Sequence, residues 1–511
     1  MNRPKKLSLI ICLLLSLNFT RALGQTEVRF TSSKDFLNHD LTINQTLIKK
    51  HWFLYYPPES SNNRESVKDM HAAQINCIPS SRVTGHLRCS VIYYLQGRNE
   101  DQFSGKGYAY EVTTEIDPNI SSESVTVEED LNASRVHSSK LTDPVLIRYK
   151  GYSFVIGRKS RDTDTISAVE GQTQESADKR KLLFNGVGLS MKSDQESDDL
   201  NSWAVLDDIS FSESGDIIPE VFWKIRGNHL VLGGRQWHQA SSSEESYEVS
   251  TATYMKKTNW VPQIDSAISL YNEQKHDSNA LSEFKASISE AFSDFEISYI
   301  TWKERSSSAG SIMDSTNYVA LQPDIIFYED TPDLTMIHLR TRIQFPGNSA
   351  RKQAPAMFAE RNGIAYSVIL KCDIYWGRTI CKPLSVFDNP WTKNTLQTFN
   401  GDNKQLYFIG NIAPSGVFKP GDRSQLFLYK TDLYKKFIAN EFSSNIIHQH
   451  YTPALLKVPS ATSQFASDTT YPFFDPLTAN DPEQKCALFV TTVRTNTQST
   501  IAILCLDKDA L

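Results

Sequence analysis

Three kinds of residue in this chain have the type and spacing for chemistry: paired histidines, paired carboxylates and coupled cysteines. His448-Gln-His450 sets two imidazoles on one side of an extended segment, a spacing divalent metals use. A zinc site needs three or four ligands, and no third is identifiable, so the pair is read as surface histidine and no metal is assigned. Asp207-Asp208 and Glu329-Asp330 are the adjacent acids a glycoside hydrolase would need as proton donor and nucleophile or base. Acids side by side in polar text are far more often solvated loop residues. The chain has no Gly-x-Ser-x-Gly elbow, no phosphate-binding glycine loop and no His-Glu-x-x-His helix. It also lacks the Ser-x-Asp-x-Gly-x-x-Trp repeat expected of a sialidase; Ser212-Glu-Ser-Gly-Asp216 before Trp223 does not fit that pattern. No catalytic residue and no cofactor is assigned.

The cysteines are more informative. Residues 1–24 open with Arg3, Lys5 and Lys6, continue into an apolar run from Leu7 to Phe19, and end Ala22-Leu23-Gly24, the layout of a secretory signal. Beyond it six cysteines remain, in three sequence-local couples: Cys77 with Cys89, Cys372 with Cys381, and Cys486 with Cys505. An even number in an oxidising compartment, without Cys-x-x-Cys spacing, reads as three disulfides. Asn44, Asn119 and Asn132 are Asn-x-Ser/Thr acceptors, so the expectation is a secreted, extracellular glycoprotein. Lys508-Asp-Ala-Leu511 resembles a Lys-Asp-Glu-Leu retention signal with its Glu replaced by Ala, which removes a charge the receptor reads. Residues 1–24 hold four of the 53 basic and none of the 59 acidic residues, leaving 49 against 59 and a net charge of −10. That balance disfavours nucleic acid as a partner, and no later apolar run has the length of a membrane span.

The elements that must position any site are β-strands. One unit occurs twice, Val145 to Gly157 and Val221 to Gly233: an apolar run, a basic-Gly pair (Lys150-Gly151, Arg226-Gly227), and a second apolar run stopping at Gly157 or Gly233. Each copy reads as a hairpin on a tight turn, and Leu406 to Gly410 echoes its second half. In the second copy Gly233-Gly234, Tyr254 and Trp260 resemble the double glycine, tyrosine and tryptophan of a kelch blade, a resemblance confined to that one unit. Residues 263–295 break the pattern with helical spacing at Ile264, Ala267, Ile268 and Tyr271, and again at Leu281, Phe284, Ile288, Ala291, Phe292 and Phe295, with Asp277 or Ser278 as N-cap. Asp432 to Phe442 reads as a short helix, and 117–143 as a polar surface loop. The final hairpin, 487–492 with 500–504, would close the array by joining N-terminal strands.

The fold class expected is all-β: a propeller-like array of six or seven blades over residues 25–511, with a helical insertion at about 263–295. The function expected is non-enzymatic recognition of a protein or glycan on one propeller face. The alternative is a secreted glycan hydrolase with a carboxylate pair in the central pocket. The segments after the second strand of each unit, 158–181, 235–246 and 411–422, would gather on one rim, where scaffolds usually carry binding residues. Arg158, Arg235, Trp237, His238 and Phe418 are the contacts expected there, since aromatic and Arg side chains dominate binding hot spots.

Overall fold

The computed structural model describes residues 42–44, 47–55, 68–97, 108–120, 122–126, 133–160, 184–194, 200, 202–206, 209, 211, 217–241, 246–275, 277–299, 318–327, 334–343, 365–375, 378–388, 397–400, 406–412, 425–431, 452–456, 458, 468–469, 473–475, 477–478, 481, 483–494 and 499–510. Among them β-structure dominates, in six sheets, and there are two α-helices, α1 (Trp260–Gln274) and α2 (Ala280–Ala291).

The sheets succeed one another along the chain. The first holds Lys68–Pro79, Leu87–Gly97, Ala109–Ile116 and Ala133–Arg135. The second holds Lys140–Tyr149, Tyr152–Ser160, Phe184–Ser193 and Ala204–Val205, and the third Ile217–Arg226, His229–Ser241, Ser246–Lys257 and Glu296–Tyr299. The fourth holds Tyr318–Phe327, Leu334–Ile343, Ala365–Tyr375 and Arg378–Asp388, and the fifth Gln397–Asn400, Leu406–Ile412, Gln425–Thr431 and Thr452–Leu456. The sixth lays Asp468–Thr469 and Phe473–Phe474 against Cys486–Arg494, then Ser499–Asp507, then Ile48–Tyr55 from near the start of the chain. Pairing of the last hairpin with an N-terminal strand is therefore present, as expected. Two short strands add in parallel at outer edges: Thr42–Asn44 beside Thr452–Leu456, and Ser122–Thr126 beside Ile48–Tyr55. The second of these lies inside 117–143, which is thus not simply a loop.

Packing explains why many strands read as apolar runs with little alternation: among the described residues the sixth, first and second sheets each stack face to face with a sheet on either side, so that their strands are covered on both. Phe53, Phe489, Leu504 and Leu506 of the sixth sheet meet Leu426 and Leu456 of the fifth. Its other face, with Trp52, Leu488, Val490 and Ile503, meets Met70, Ile75, Val91 and Val112 of the first. Ala73, Ile92 and Ala109 on the far side of the first sheet meet Leu141, Leu146 and Val155 of the second. The remaining face of the second, with Val145, Ile147, Phe154 and Ile156, packs on Leu230, Leu232 and Met255 of the third and on both helices. The first strands also lie side by side in sequence, from Phe473–Phe474 to Lys68–Pro79, Lys140–Tyr149, Ile217–Arg226, Tyr318–Phe327 and Gln397–Asn400.

The twice-occurring unit is a hairpin in both copies, but the turns differ. In the first copy Tyr149 pairs with Tyr152 across Lys150 (φ 44°) and Gly151 (φ 82°), both in the left-handed region. In the second Arg226 pairs with His229, so the turn is Gly227-Asn228, one residue later than the aligned glycines suggest. Neither second strand stops at its glycine. Gly157 sits mid-strand opposite Gly188, where a Cβ would lie 3.1 Å from the Leu141 side chain, so that glycine serves close packing and not strand termination. Gly233 pairs with Glu220 on one side and Tyr254 on the other, and its strand runs on to Ser241.

The helices open earlier than expected, because Trp260 and not residue 263 begins α1, with Pro262 tolerated in the first turn. Val261 N–H donates to Asn228 O, so the hairpin turn of the third sheet satisfies one of the helix's orphan donors. Asn279, not Asp277 or Ser278, occupies the N-cap of α2; Asp277 instead accepts the Asn279 N–H at 2.9 Å. The Lys257 ammonium, buried, donates to Glu290 O and Ser293 O at the carboxyl end of α2, where a cation complements the helix dipole. Asp432 to Phe442 lies outside the described residues.

Two of the three expected disulfides are formed, Cys77–Cys89 and Cys486–Cys505. Cys372 and Cys381 stand directly opposite each other on neighbouring strands of the fourth sheet. Peptide mapping under non-reducing conditions should return 77–89, 372–381 and 486–505 as the dominant links. A dominant bridge between couples, such as Cys89 to Cys372, would overturn the local pairing.

Candidate functional site

The densest collection of ionisable side chains among the described residues lies between the first and second sheets. Glu111 projects from Ala109–Ile116 and is 2 % exposed; Lys192, from Phe184–Ser193, reaches across the interface and donates to its Oε2. Trp203 Nε1 donates to the same oxygen at 2.9 Å. Beside this pair Arg148, at the end of Lys140–Tyr149, donates from Nε to Ser153 Oγ at 3.1 Å and from Nη2 to Ser90 Oγ. Its Nη2 also lies 3.5 Å from Asp194 Oδ1, and its Nη1 reaches the carbonyls of Asn76 and Arg88 at 3.5 and 3.4 Å. The Ser153 hydroxyl donates to Asp194 Oδ1 at 3.1 Å, and Arg88 Nη1 donates to Asp194 O at 3.1 Å.

The electrostatics define what this cluster can do. Burial alone would push the Glu111 carboxyl up, but the Lys192 ammonium in contact with it, with a smaller contribution from the Arg148 charge, holds it below the ordinary carboxylate value. An enclosed carboxylate kept ionised by a bonded ammonium is a cross-sheet clamp and not a proton donor, which needs a raised pKa and access to substrate.

Asp475, fully buried, has the opposite property: desolvation raises its pKa, against the hydrogen bonds it accepts. Both of its oxygens are committed to backbone donors, Oδ1 to Cys77 N–H and Oδ2 to Thr478 N–H, each at 2.8 Å. Cys77 lies on Lys68–Pro79, a strand with a sheet partner on one edge only; there Ala72 N–H likewise donates to Thr492 Oγ1 at 2.9 Å. Side chains of the sixth sheet thus satisfy backbone donors that the ladder leaves over.

The strand directions fix two rims. Cys77 touches Asp475, Asn76 touches Arg148, and the turn at Lys150 touches α1 through Lys150–Asp265 at 2.7 Å and Tyr149 OH–Asp265 at 3.0 Å. In the sixth, first, second and third sheets, then, the connections after the first strand gather at one rim, and those after the second strand lie at the other.

The sequence-predicted contacts distribute as follows. Arg235, Trp237 and His238 belong to His229–Ser241, opposite Ala252, Ser250 and Val249, and Arg158 belongs to Tyr152–Ser160, opposite Thr142 and Val187. They occupy strand positions and not loops, because the second strands outrun their glycines. Phe418 lies outside the described residues, as do His448, His450, Asp207, Asp208, Glu329 and Asp330. Asn119 is exposed in a turn, its N–H donating to Asp117 Oδ1 at 2.8 Å; Asn44 lies in a short strand, and Asn132 is not described. No group of three His, Cys, Asp or Glu with metal-binding geometry occurs among the described residues, and no described helix is long and apolar enough to cross a membrane. Lys508 is buried and donates from Nζ to Asp481 O at 2.7 Å, so Lys508–Ala510 is folded onto the sixth sheet as a short 3₁₀ turn. The Glu111 and Asp475 arrangements carried no sequence signal: each depends on partners from a neighbouring sheet.

No family model matches the chain, and no curated protein sequence matches it. Solved structures with a similar outline include a protein of unknown function from Dyadobacter fermentans, 9% identical with a TM-score of 0.44 over 90% of this chain and 98% of that one. A Trypanosoma rangeli sialidase in complex with the inhibitor DANA is 10% identical with a TM-score of 0.40 over 90% of this chain and 58% of the sialidase. An α-L-arabinofuranosidase, Arb93A from Fusarium graminearum, is 8% identical with a TM-score of 0.41 over 91% and 99%. At these values the likenesses assign no activity to this chain.

The clamp yields a prediction with a definite sign. A carboxylate whose folded pKa is depressed stabilises the fold above its unfolded pKa and loses that contribution as pH falls through the folded value. Glu111→Gln should therefore cost about 3 kcal/mol at pH 7, by leaving the Lys192 charge buried without its counter-ion. It should also flatten the acid limb of the stability curve below about pH 4.5. Urea titrations between pH 3 and 7 read both effects. An unchanged midpoint at pH 7 would remove the clamp from the stability account.

Proposed function

We propose that the chain is a secreted β-propeller of six blades that binds an extracellular protein or glycan through the rim opposite its tight turns. The observation that carries the reading is the inequality, in most sheets, between the connection that follows the first strand and the one that follows the second. After the first strand the second and third sheets turn in two residues, at 150–151 and 227–228. After the second strand the first, second, fourth and fifth sheets are joined by 98–108, 161–183, 344–364 and 413–424. The third and sixth sheets are exceptions, with 242–245 and 495–498 at that point, and the long connections of the other four are suited to present variable contacts. Six sheets in chain order, with the last completed by Ile48–Tyr55, support the six-bladed ring, since closure by the N-terminal strand removes the exposed edge of the last blade. The disulfides support an oxidising, extracellular setting, with residues 1–24 as the secretory signal and Asn44, Asn119 and Asn132 as glycan acceptors.

Recognition is favoured over glycan hydrolysis because, among the described residues, the buried carboxylates Glu111, Asp475 and Asp507 are bonded to structural partners. Arg158, Arg235, Trp237, His238 and Phe418 remain the proposed contacts, the first four on strand segments leading into the long-connection rim. The purified protein should give saturable binding on an extracellular-protein and glycan array, without turnover of chromogenic glycosides. Replacing both Arg235 and Trp237 with Ala should lower that binding at least tenfold at unchanged melting temperature, whereas Lys150→Ala or Arg226→Ala should leave it within twofold. The reverse pattern, or hydrolysis by the wild-type protein, would overturn the reading.

A further inference from the structure

Two connections of the first sheet stand side by side at the tight-turn rim. Pro79 pairs with Leu87 and Leu87 with Ile116, so 80–86 and 117–120 leave the same end of the sheet. His86 Nε2 lies 3.8 Å from Asp117 Oδ2 and joins them, and His86 N–H donates to Val83 O at 3.2 Å. Each connection carries an exposed apolar side chain, Val83 in one and Ile120 in the other, both 41 % exposed. A single exposed apolar side chain is ordinary, but two on adjoining turns make a small patch that gains from being covered.

Asn119 stands inside that patch, next to Ile120 and at the head of the acceptor sequence Asn119-Ile120-Ser121. The turn that holds it is braced from within. Asn119 N–H donates to Asp117 Oδ1 at 2.8 Å, Ile120 N–H donates to Asp117 O at 3.1 Å, and the Lys50 ammonium, from the sixth sheet, donates to Pro118 O. None of these bonds uses the Asn119 carboxamide, and the residue is exposed. A turn fixed in this way presents its side-chain amide outward after the strands on either side have paired.

We infer that Asn119 carries an N-linked oligosaccharide whose first sugars lie over Ile120 and Val83, so that this corner of the tight-turn rim is covered by the chain's own glycan and not by a partner. The inference rests on the secreted reading above and goes beyond it in giving the sugar a task. In the transfer Asn119 Nδ2 bonds to C1 of the first sugar of a polyprenyl-diphosphate-linked oligosaccharide. The bond from C1 to the diphosphate oxygen breaks, the lipid diphosphate leaves with its electron pair, and the amide proton passes to solvent. A sugar ring suits the patch because its C–H face is apolar while its hydroxyls stay in water, and its point of attachment adjoins Ile120 in the chain. A protein partner fits worse, since two part-exposed side chains offer far less than the roughly 800 Å² that each partner contributes to a stable interface.

The first measurement is peptide mapping of the full-length secreted protein after its sugars are released by an amidase in isotopically labelled water, which converts a glycosylated asparagine to labelled aspartate. Label at position 119 in most molecules is the expected result, and an unlabelled Asn119 would overturn the inference. Covering is read separately, from the fluorescence of an apolar-surface dye on the folded protein before and after enzymatic removal of the sugar, which asks no variant to fold. The signal should rise at least twofold on removal, and the double change Val83→Ser and Ile120→Ser should abolish that rise. A signal indifferent to removal would overturn the covering role. Binding to any partner found on the array should stay within twofold when the sugar is removed. Its loss, with position 119 labelled, would overturn the covering role and the rim reading together, because the partner would then sit on this corner. Unchanged binding with Asn119 unlabelled would overturn the inference and leave the rim reading intact.

Discussion

Face-to-face stacking is the constraint on which the rest of the structure depends. A four-stranded antiparallel sheet with one apolar face needs one covering layer, but the first, second and sixth sheets here are apolar on both. Such a sheet has no stable exposure in water by itself, since every strand would leave a row of buried-type side chains solvated. Each must find a neighbour on either side, and the sixth finds it in the fifth and the first, the first in the sixth and the second, and the second in the first and the third. Pairing of Ser499–Asp507 with Ile48–Tyr55 follows from the same demand: the last hairpin has an open edge, and a strand from the start of the chain covers it.

Within that stack the interface of the first and second sheets is unusual in carrying ionic groups beside its apolar contacts. Burying Glu111, Lys192 and Arg148 costs desolvation that an apolar interface would not incur, and the pairing offsets this only where every charge is met. What the cluster supplies is position. Two smooth apolar faces can slide past one another by a residue pair with little change in buried area, whereas Lys192 finds Glu111, and Arg148 finds Ser90 and the Asn76 carbonyl, at one register only.

Much of this architecture was legible in the chain, and its failures have physical causes. The hairpin at Lys150-Gly151, the last hairpin and the helical pair show themselves through turn chemistry and period, which are local properties. The strand Lys68–Pro79 does not: Met70, His71, Ala72, Ala73, Gln74 and Asn76 have little β-propensity, and their place is set by the two sheets that enclose them. The glycines misled because Gly in a strand marks either an ending or a close approach, and only the neighbouring Leu141 distinguishes the two at Gly157. For the same reason Arg158, Arg235, Trp237 and His238 are strand residues. The Glu111 and Asp475 arrangements were illegible altogether, since each joins residues of separate sheets.

The two rims divide the work between them. At the tight-turn rim the carbonyls, Asp475, Arg148 and the helix pair hold neighbouring sheets together, and a change there must be matched by a partner on another sheet. At the other rim a connection such as 161–183 starts and ends on strands that are already paired, so its length and composition are free of that requirement. Loop closure makes the cost of extra residues there grow only slowly with length. A chain built this way concentrates the bonds between sheets at one end of its strands, and Arg135, fixed by backbone carbonyls, stands at the other.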